Sequence, residues 1–252
     1  MSPRGADETS GVLAVIPARY GSSRFPGKPL AKILGVPLVV RVFERVVTTL
    51  PATQVVVATD DERIRKVCEE SGIRTVMTSS TCLTGTDRVW EAACQLQAET
   101  IINVQGDEPL VRAEDILTVI RGKQANPRHV VNAMCAITDR RDIDSPNVPK
   151  VVVNERDELV YMSRAPIPYL KAHGGRAVYR RQVCIYAFSP EELKGFAEHG
   201  RKSRLEEPED IEILRFLDLG IPVRMVEVSG ASVAVDVPED IARVEQLLGI
   251  RR

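Results

Sequence analysis

The sequence predicts an α/β protein in which a mainly parallel sheet carries helices on both faces and is joined to a β-rich excursion. In the first half of the chain, short apolar runs alternate with amphipathic stretches, a pattern typical of strands connected by helical crossovers. At about residues 130–190, apolar runs follow one another with only turns between them. The 252 residues are enough for one large core. We therefore expect a flexible tail at residues 1–11 and a single domain at residues 12–250.

The individual elements follow from hydrophobic periodicity. The predicted strands are Leu13–Pro17, Gln54–Thr59, Arg74–Met77, Thr100–Val104, Asn132–Thr138, Lys150–Asn154, Val160–Arg164, Gln182–Phe188 and Val223–Val228. The predicted helices are Pro37–Thr48, Glu62–Ser71, Thr86–Leu96, Pro208–Asp218 and Pro238–Leu248. Gly72 is suited to end the second helix. The loop Pro168–Arg176 contains two adjacent glycines, and we expect it to be mobile.

Composition and charge argue against several classes of protein. The formal net charge is −1, so there is no electrostatic reason to expect nucleic acid or an anionic membrane as a partner. No run approaches the roughly 18 to 20 apolar residues of a membrane helix. The five cysteines are scattered without a C-x-x-C pair, which indicates reduced thiols in a cytoplasmic protein and no zinc site.

The loop after the first predicted strand combines glycines with three cations. It carries Arg19, Arg24 and Lys28 together with Gly21 and Gly27. Glycine lets backbone N–H groups approach a ligand, and arginine presents a planar fork that suits phosphate oxygens. The sequence matches neither G-x-x-x-x-G-K-[ST] nor G-x-G-x-x-G. We interpret this loop as a polyphosphate-binding loop of another kind.

Two aspartates follow apolar runs, at positions where α/β sheets place their ligands. Asp107 comes directly after the strand that ends at Val104, and Asp236 follows the apolar run 233–235, which we predict to be a strand. Carboxylates at such places suit Mg²⁺, which shares its coordination with substrate phosphates. Asp107 could equally be an ordinary turn residue, and Asp236 could be a helix N-cap.

Several motifs together resemble the sugar-activating cytidylyltransferases, and most closely the 3-deoxy-manno-octulosonate (KDO) cytidylyltransferases. They are the loop Ile16–Leu30, G-T-[DE]-R at Gly85–Arg88, V-Q-G-D-E-P at Val104–Pro109, Y-x-S-R-x-x-I-P at Tyr161–Pro168 and V-D-x-P-E-D at Val235–Asp240. The resemblance extends from Val12 to Leu248. It implies a Rossmann-like nucleotidyltransferase that moves CMP from CTP to the anomeric hydroxyl of a 3-deoxy-2-keto sugar acid, KDO first, and releases pyrophosphate.

The resemblance also implies roles for individual residues. It assigns Mg²⁺ to Asp107 and Asp236, and catalysis to Arg19, Lys28 and Asp107. The implied nucleotide-binding residues are Pro17, Ala18, Arg19, Gly21, Ser22, Arg24, Lys28, Thr86, Asp87 and Arg88. The implied acceptor-binding residues are Gln105, Arg164, Gln182, Tyr186 and Glu212. A homodimer formed through the β-rich excursion and neighbouring helices is expected, in a cytoplasmic enzyme that serves lipopolysaccharide or capsule biosynthesis.

Two residues depart from the family pattern R-H-x-G-x-Y. Gln182 stands in place of the histidine and Cys184 in place of the glycine. Glutamine can bind a sugar hydroxyl but cannot titrate near neutrality, so the acceptor could instead be an amino-KDO or a nonulosonate-like acid. The residues also leave open a nucleotidyltransferase that acts on a sugar 1-phosphate and a non-catalytic nucleotide-binding module. Cys82 lies near the G-T-D-R motif, and we interpret it as a structural thiol because the reaction needs no nucleophilic cysteine.

Overall fold

The computed structural model describes residues 8–22, 24–171 and 177–250. Its strands are β1 (Val12–Ala18), β2 (Lys32–Ile33), β3 (Val36–Pro37), β4 (Val55–Thr59), β5 (Thr75–Met77), β6 (Thr100–Val104), β7 (Val130–Ala136), β8 (Lys150–Val153), β9 (Leu159–Ser163), β10 (Arg180–Phe188) and β11 (Val223–Glu227). Its helices are α1 (Leu38–Val46), α2 (Glu62–Glu70), α3 (Gly85–Cys94), α4 (Ala113–Ala125), α5 (Arg141–Asp144), α6 (Pro190–Glu198), α7 (Glu206–Glu209), α8 (Ile213–Asp218) and α9 (Asp240–Ile250).

Nine of these strands form one sheet in the described part of the chain. Its order is β11-β7-β10-β6-β1-β4-β5, and β8 pairs with β10 and β9. The pairs β1–β4, β1–β6, β4–β5 and β7–β11 are parallel. Only β10 runs against its neighbours β6 and β7 along the main path. The carboxyl ends of β1, β6 and β7 therefore point to the same edge of the sheet, where ligands bind in open α/β sheets.

Both faces of the central strands are buried. Along β1, Ala14 and Ile16 belong to one apolar cluster, and Leu13 and Val15 belong to a second cluster on the opposite face. The first cluster includes apolar side chains from α1, α2, α4 and α9, and the second includes side chains from α3, α6 and α8. This alternation is what a strand covered on two sides requires. The predicted α/β sheet with helices on both faces is confirmed.

Two helix ends show how local sequence sets the boundaries. The Asp61 side chain caps α2 by accepting a hydrogen bond from the Arg63 N–H (2.9 Å). The chain leaves α2 through Gly72 at φ +70°, as the sequence predicts. At α6, Ser189 and Glu192 form a reciprocal capping box.

The β-rich region differs from the prediction in its placement. Strands β7 and β10 lie inside the main sheet, so only β8 and β9 extend from it. The register of β10 against β7 shifts between Val183 and Tyr186, which marks a β-bulge next to Cys184. Sequence periodicity identified these strands, but long-range pairing decided which of them join the parallel core.

Several predicted elements need correction. The predicted helix at 208–218 is two short helices, α7 and α8, because Asp210 adopts φ +51° between them. The predicted strand at 233–235 is irregular backbone, and the terminal helix begins at Asp240 instead of Pro238. Helices α4 and α6 were not predicted. In α4, Gly122 packs so closely on the sheet that an added Cβ would lie 2.8 Å from Val226, a tertiary contact that periodicity does not report.

Other predictions concern the ends and the loops. Residues 1–7 of the predicted tail and 172–176 of the predicted mobile loop lie outside the described residues. Residues 8–11 are anchored instead of flexible, because Gln54 Nε2 donates to the Thr9 carbonyl (2.9 Å) and the Glu99 N–H donates to the Gly11 carbonyl (2.9 Å). All five cysteines are free thiols. Within the described ranges, we find no helix with both the length and the apolar character of a membrane span.

Candidate active site

The cationic loop leaves the buried strand β1 and folds back over the edge of the sheet. Gly27 makes this possible: it adopts φ +73° and donates its N–H to the Tyr20 carbonyl (2.9 Å). A one-turn 3₁₀ helix at 28–30 follows and fixes the start of the Lys28 side chain. The loop thereby presents Arg24 and Lys28 to the region beyond the end of β6.

Two ion pairs connect this loop to the two predicted metal-binding aspartates. Lys28 Nζ lies 2.6 Å from Asp107 Oδ2, and both side chains are largely buried. Arg24 Nη2 lies 2.9 Å from Asp236 Oδ1, at a more exposed position. The structure thus brings together four residues that lie in three distant parts of the sequence.

Gly106 explains how Asp107 reaches the loop. A Cβ at this position would lie 2.6 Å from the Pro17 carbonyl oxygen, which is too close for any side chain. Glycine therefore lets the turn after β6 press against the end of β1, and Asp107 follows directly. This is the close approach that the glycine of the Q-G-D-E-P run provides.

A cavity of about 420 Å³ lies between these elements. Eleven of the predicted site residues line it: Pro17, Ala18, Arg19, Ser22, Arg24, Lys28, Arg88, Gln105, Asp107, Glu212 and Asp236. The predicted residues Gly21, Thr86, Asp87, Arg164, Gln182 and Tyr186 are not among the residues that line it. Arg19 is exposed and has no hydrogen-bond partner among the residues that the structure describes. The cavity therefore gathers the three cations of the loop and both aspartates.

The G-T-D-R motif forms the first turn of α3, and its side chains are held by protein partners. Glu212 accepts hydrogen bonds from the N–H groups of Gly85 (3.1 Å) and Thr86 (2.9 Å) and from the Thr86 hydroxyl (2.5 Å). Burial raises the pKa of the Glu212 carboxyl, and these hydrogen bonds oppose that shift. Glu212 thus stabilises the start of α3 and also lines the cavity.

The two charged residues of the same motif are also paired. Asp87 accepts a hydrogen bond from Arg215 (3.0 Å), and Arg88 donates to Asp60 (3.0 Å). Arg88 lines the cavity although it is almost fully buried. Asp60 therefore holds Arg88 in the cavity wall and has a structural role.

Two of the predicted acceptor residues, Gln182 and Tyr186, form a buried hydrogen-bonded group behind the cavity. Gln182 Nε2 donates to Asn132 Oδ1 (2.9 Å) and to the Tyr186 hydroxyl (3.2 Å). Asn132 in turn donates to the carbonyls of Val183 and Ile185, at the β-bulge (3.0 Å each). The Cys184 carbonyl of the same bulge accepts a hydrogen bond from the Gln105 N–H (3.4 Å). The departures at 182 and 184 therefore lie directly behind Gln105, which does line the cavity.

Arg164, the predicted partner of the acceptor carboxylate, binds carbonyl groups of the protein. Its guanidinium donates to the carbonyls of Glu209 (2.5 Å), Pro146 (2.8 Å) and Asp210 (3.0 Å). Three of its five N–H groups are thereby used within the protein.

Two charged residues of the cavity wall were not predicted from the sequence. Lys202 Nζ and Asp210 Oδ1 form an ion pair at 2.5 Å, and both residues line the cavity. Neither belongs to a recognisable motif, so no signal in the sequence marks them. Both are placed there by the irregular chain around α7.

The acidic residues around Asp107 decide whether the cavity could hold a cation. Glu108 is buried beside Asp107, and burial together with the charges of Asp107 and Asp236 raises its pKa to about 7. The described residues contain no group of three or more His, Cys, Asp or Glu side chains that could hold a metal. Two carboxylates facing a polar cavity are nevertheless a donor set that Mg²⁺ accepts, because substrate phosphates and water complete its coordination. The residues present therefore fit Mg²⁺.

Cys82 lies in the cavity wall but is not activated. Burial raises the pKa of its thiol to about 12, and a hydrogen bond with Glu91 and repulsion from that carboxylate act in the same direction. The thiol therefore stays protonated near neutral pH, as expected for a structural cysteine.

Comparison with known proteins agrees with this geometry. The family model described as cytidylyltransferase matches residues 13–222. A 3-deoxy-manno-octulosonate cytidylyltransferase of Escherichia coli is 37% identical over 239 residues, which cover 95% of this chain and 96% of that protein. The enzyme of the same name from Bdellovibrio bacteriovorus is 39% identical over 241 residues, which cover 94% of this chain and 97% of that protein.

This chain belongs to the KDO cytidylyltransferase family. A solved structure of a CMP:2-keto-3-deoxy-manno-octonic acid synthetase complexed with CTP superimposes with a TM-score of 0.86. It is 37% identical, and the match covers 96% of this chain and 99% of that chain. Membership of the KDO cytidylyltransferase family confirms the predicted resemblance and the predicted nucleotidyltransferase fold and enzyme class.

Proposed function

We propose that this protein transfers CMP from CTP to the anomeric hydroxyl of KDO and releases pyrophosphate. One observation carries the proposal: Lys28 and Arg24 of a phosphate-binding loop meet Asp107 and Asp236 in a single cavity. Such a cavity offers positive charge for a polyphosphate next to carboxylates for a metal. The family membership of the chain supports CTP and KDO as the substrates.

In the proposed reaction, the acceptor hydroxyl oxygen forms a bond to the α-phosphorus of CTP. The bond from that phosphorus to the bridging oxygen of the β-phosphate breaks, and the electron pair leaves with pyrophosphate. The proton of the acceptor hydroxyl is released to water. Arg19, Lys28 and the more exposed Arg24 bind the β- and γ-phosphates and stabilise the charge that develops on the leaving group. None of the described residues that line the cavity is a histidine.

We propose Mg²⁺ as the cofactor, held by Asp107 and Asp236. A bound Mg²⁺ supplies charge neutralisation at the α-phosphate and a lower pKa for the attacking hydroxyl. Asp107 and Asp236 orient the cation, and Lys28 and Arg24 become available to the phosphates once the carboxylates have another partner. Phosphoryl transfer depends mainly on such positioning and charge stabilisation.

Gln105 is our candidate for contact with the sugar hydroxyls, because it lines the cavity in front of the Gln182–Tyr186 group. Two N–H groups of Arg164 have no partner among the described residues, and we assign them to the carboxylate of the acceptor. The nucleotide-binding role predicted for Gly21, Thr86 and Asp87 stays a prediction. These residues would act by shaping the loop and the start of α3.

A related sugar acid is a second candidate acceptor. The observation that favours it is the replacement of the family histidine and glycine by Gln182 and Cys184, at the bulge that contacts Gln105. A side chain at 184 adds volume next to Gln105, and Gln182 provides an amide in place of an imidazole. The chemistry of CMP transfer would be the same.

We propose a homodimer, and the surface that supports it surrounds β9. Among the described residues, β9 pairs only with β8, and its Val160 side chain is exposed. Val178, Tyr169 and Leu170 are exposed apolar residues of the neighbouring loop. An unpaired strand edge with apolar neighbours suits pairing with a second copy of the chain. We also propose a cytoplasmic location, which the five free thiols fit.

The experiment that tests the proposed function measures pyrophosphate release with CTP, Mg²⁺ and KDO. The expected result is fast release with KDO that stops when EDTA removes the metal. Release with another sugar acid but not with KDO would support the second candidate. An absence of release with every acid and every nucleoside triphosphate would contradict the proposal.

A further inference from the structure

Asp236 lies on a segment whose position is not set by secondary structure. Residues 228–239, here called the connecting segment, join β11 to α9 without a helical or strand residue. Strand β11 is at the end of the sheet, and β7 and β10 separate it from β6, after which Asp107 lies. The connecting segment must therefore cross two strands before Asp236 can face Asp107.

The first attachment of the connecting segment is to helix α4. The buried Asp115 accepts hydrogen bonds from the Ser229 N–H (2.9 Å) and from the Ser229 hydroxyl (2.7 Å). A carboxylate that is 3% exposed is stable only with such partners. The contact fixes the point where the chain turns away from β11.

The second attachment is at Gly230, above the ends of β7 and β10. Gly230 adopts φ +65°, and an added Cβ would lie 2.5 Å from Cys135 Sγ. Arg181 Nη2 donates to the Gly230 carbonyl (2.9 Å). Position 230 therefore requires glycine both for its backbone angle and for its contact with β7.

The third attachment places the segment next to the other aspartate. The Ser232 hydroxyl donates to the buried Glu108 carboxylate, and the Val235 N–H donates to the Asp107 carbonyl (2.9 Å). Val235 is fully buried. Asp236 follows at once, with its side chain 2.9 Å from Arg24. The attachments thus run from α4 across the sheet and end at Asp107.

We propose that these attachments set the position of the Asp236 carboxylate relative to Asp107, so that Asp115, Ser229, Gly230 and Ser232 are positioning residues for the metal. This inference rests on the proposed function only in its assignment of the metal to Asp107 and Asp236. The four residues act through Asp236 and do not contact the substrate. Partners of this kind orient metal ligands and affect affinity strongly.

The test compares Gly230→Ala with Gly220→Ala. Gly220 has a similar backbone angle, φ +70°, but an added Cβ there would meet nothing within 4 Å. Both variants therefore strain the backbone equally, and only Gly230→Ala displaces the connecting segment. The measurement is the affinity of the protein for Mn²⁺ in the presence of CTP and in the absence of an acceptor. Electron paramagnetic resonance monitors the binding.

Gly230→Ala is expected to weaken Mn²⁺ binding by about 10-fold, and Gly220→Ala is expected to bind like the parent protein. Higher Mg²⁺ concentration should restore part of the transferase rate of Gly230→Ala. If Gly230→Ala does not fold, two serine variants test the attachments without backbone strain. Ser229→Ala removes one of the two hydrogen bonds to Asp115, and Ser232→Ala removes the hydrogen bond to Glu108. Both should weaken Mn²⁺ binding. Equal Mn²⁺ binding by the Gly230 and Gly220 variants, or unchanged binding by both serine variants, would overturn the proposal.

A double substitution with Asp236→Asn separates this mechanism from general damage. If the attachments act through Asp236, adding Gly230→Ala to Asp236→Asn causes no further loss of Mn²⁺ affinity. Additive losses, or unchanged Mn²⁺ binding by Asp236→Asn alone, would overturn the proposal. Because the binding assay needs no acceptor, a parent protein that binds Mn²⁺ as expected but transfers no CMP would contradict the proposed function and leave this inference standing.

Discussion

The Lys28 ammonium lies 2.6 Å from Asp107 Oδ2, although the two residues are 79 positions apart in the sequence. The contact connects the loop after β1 to the turn after β6, at the edge of the sheet where parallel strands place ligands. The residue that we assign to the leaving phosphates is thus paired with the residue that we assign to the metal. Binding of CTP with its metal would exchange this ion pair for one contact to phosphate and one to the cation.

Lys28→Ala is expected to lower the transfer rate at least about 100-fold, because one electrostatic contact to a developing charge is lost. The measurement is kcat in the pyrophosphate-release assay. Lys32→Ala is the matched control, since Lys32 is an exposed lysine four residues away. Near-parental activity of a folded Lys28→Ala variant would contradict the assigned role.

Arg215→Ala is expected to destabilise the fold by about 3 to 5 kcal/mol, because a buried carboxylate is left without its partner. Arg215 is fully buried and donates to both oxygens of Glu206 (2.6 and 2.7 Å). Urea unfolding of the parent protein and of Arg215→Ala measures the difference in the free energy of unfolding. Arg65→Ala removes two surface ion pairs on α2, with Glu62 and Glu69, and should change stability by less than about 1 kcal/mol. Similar losses in the two variants would contradict the prediction.

Cys82→Ser is expected to keep the transfer rate within about twofold, because a thiol whose pKa is raised to about 12 stays protonated and takes no part in the reaction. Below that pH the thiolate fraction is small, so alkylation of Cys82 should be slow at pH 8 and should accelerate as the pH rises. Mass spectrometry of the alkylated protein measures the alkylation rate of Cys82 at each pH. A large loss of kcat in Cys82→Ser would contradict the structural role and indicate that the thiol takes part in the reaction.

Gln182→Ala is expected to raise the KM for the sugar acid and to leave the KM for CTP unchanged. The substitution removes the amide that donates to Asn132 and Tyr186, behind Gln105. A buried carbonyl oxygen that loses its donor costs about 1 to 3 kcal/mol, so some loss of stability should accompany the change in KM. Steady-state kinetics with each substrate varied in turn distinguish the two effects. An increase in the KM for CTP alone would place Gln182 on the nucleotide side.

Val160→Glu is expected to convert the proposed dimer into a monomer, because it places a charge on the unpaired edge of β9. Sedimentation equilibrium of the parent and variant proteins measures this. Lys194→Glu is the control, because it changes an exposed charge on α6 instead of on β9. A parent protein that is already monomeric at micromolar concentration would contradict the dimer.

Much of the fold follows directly from local patterns. The buried run of β1, the cap of α2 and the glycine that ends it were all predictable, because each depends on neighbours within a few residues. The loop cations and both aspartates were also recognised, because each belongs to a short sequence motif that follows an apolar run. Helix α4 was not predictable in this way, because its Gly122 is explained only by Val131 and Val226 across the sheet.

The sequence alone determined the family, and it singled out the cationic loop that we assign to phosphate and the two aspartates that we assign to the metal, because motifs are local properties. Tertiary structure alone decided the rest. It showed that β7 and β10 belong to the main sheet, that Lys202 and Asp210 line the cavity, and that Asp236 reaches the site on irregular backbone. These features depend on hydrogen bonds and packing between residues far apart in the chain, such as Asp115 with Ser229, which leave no periodic signal in the sequence.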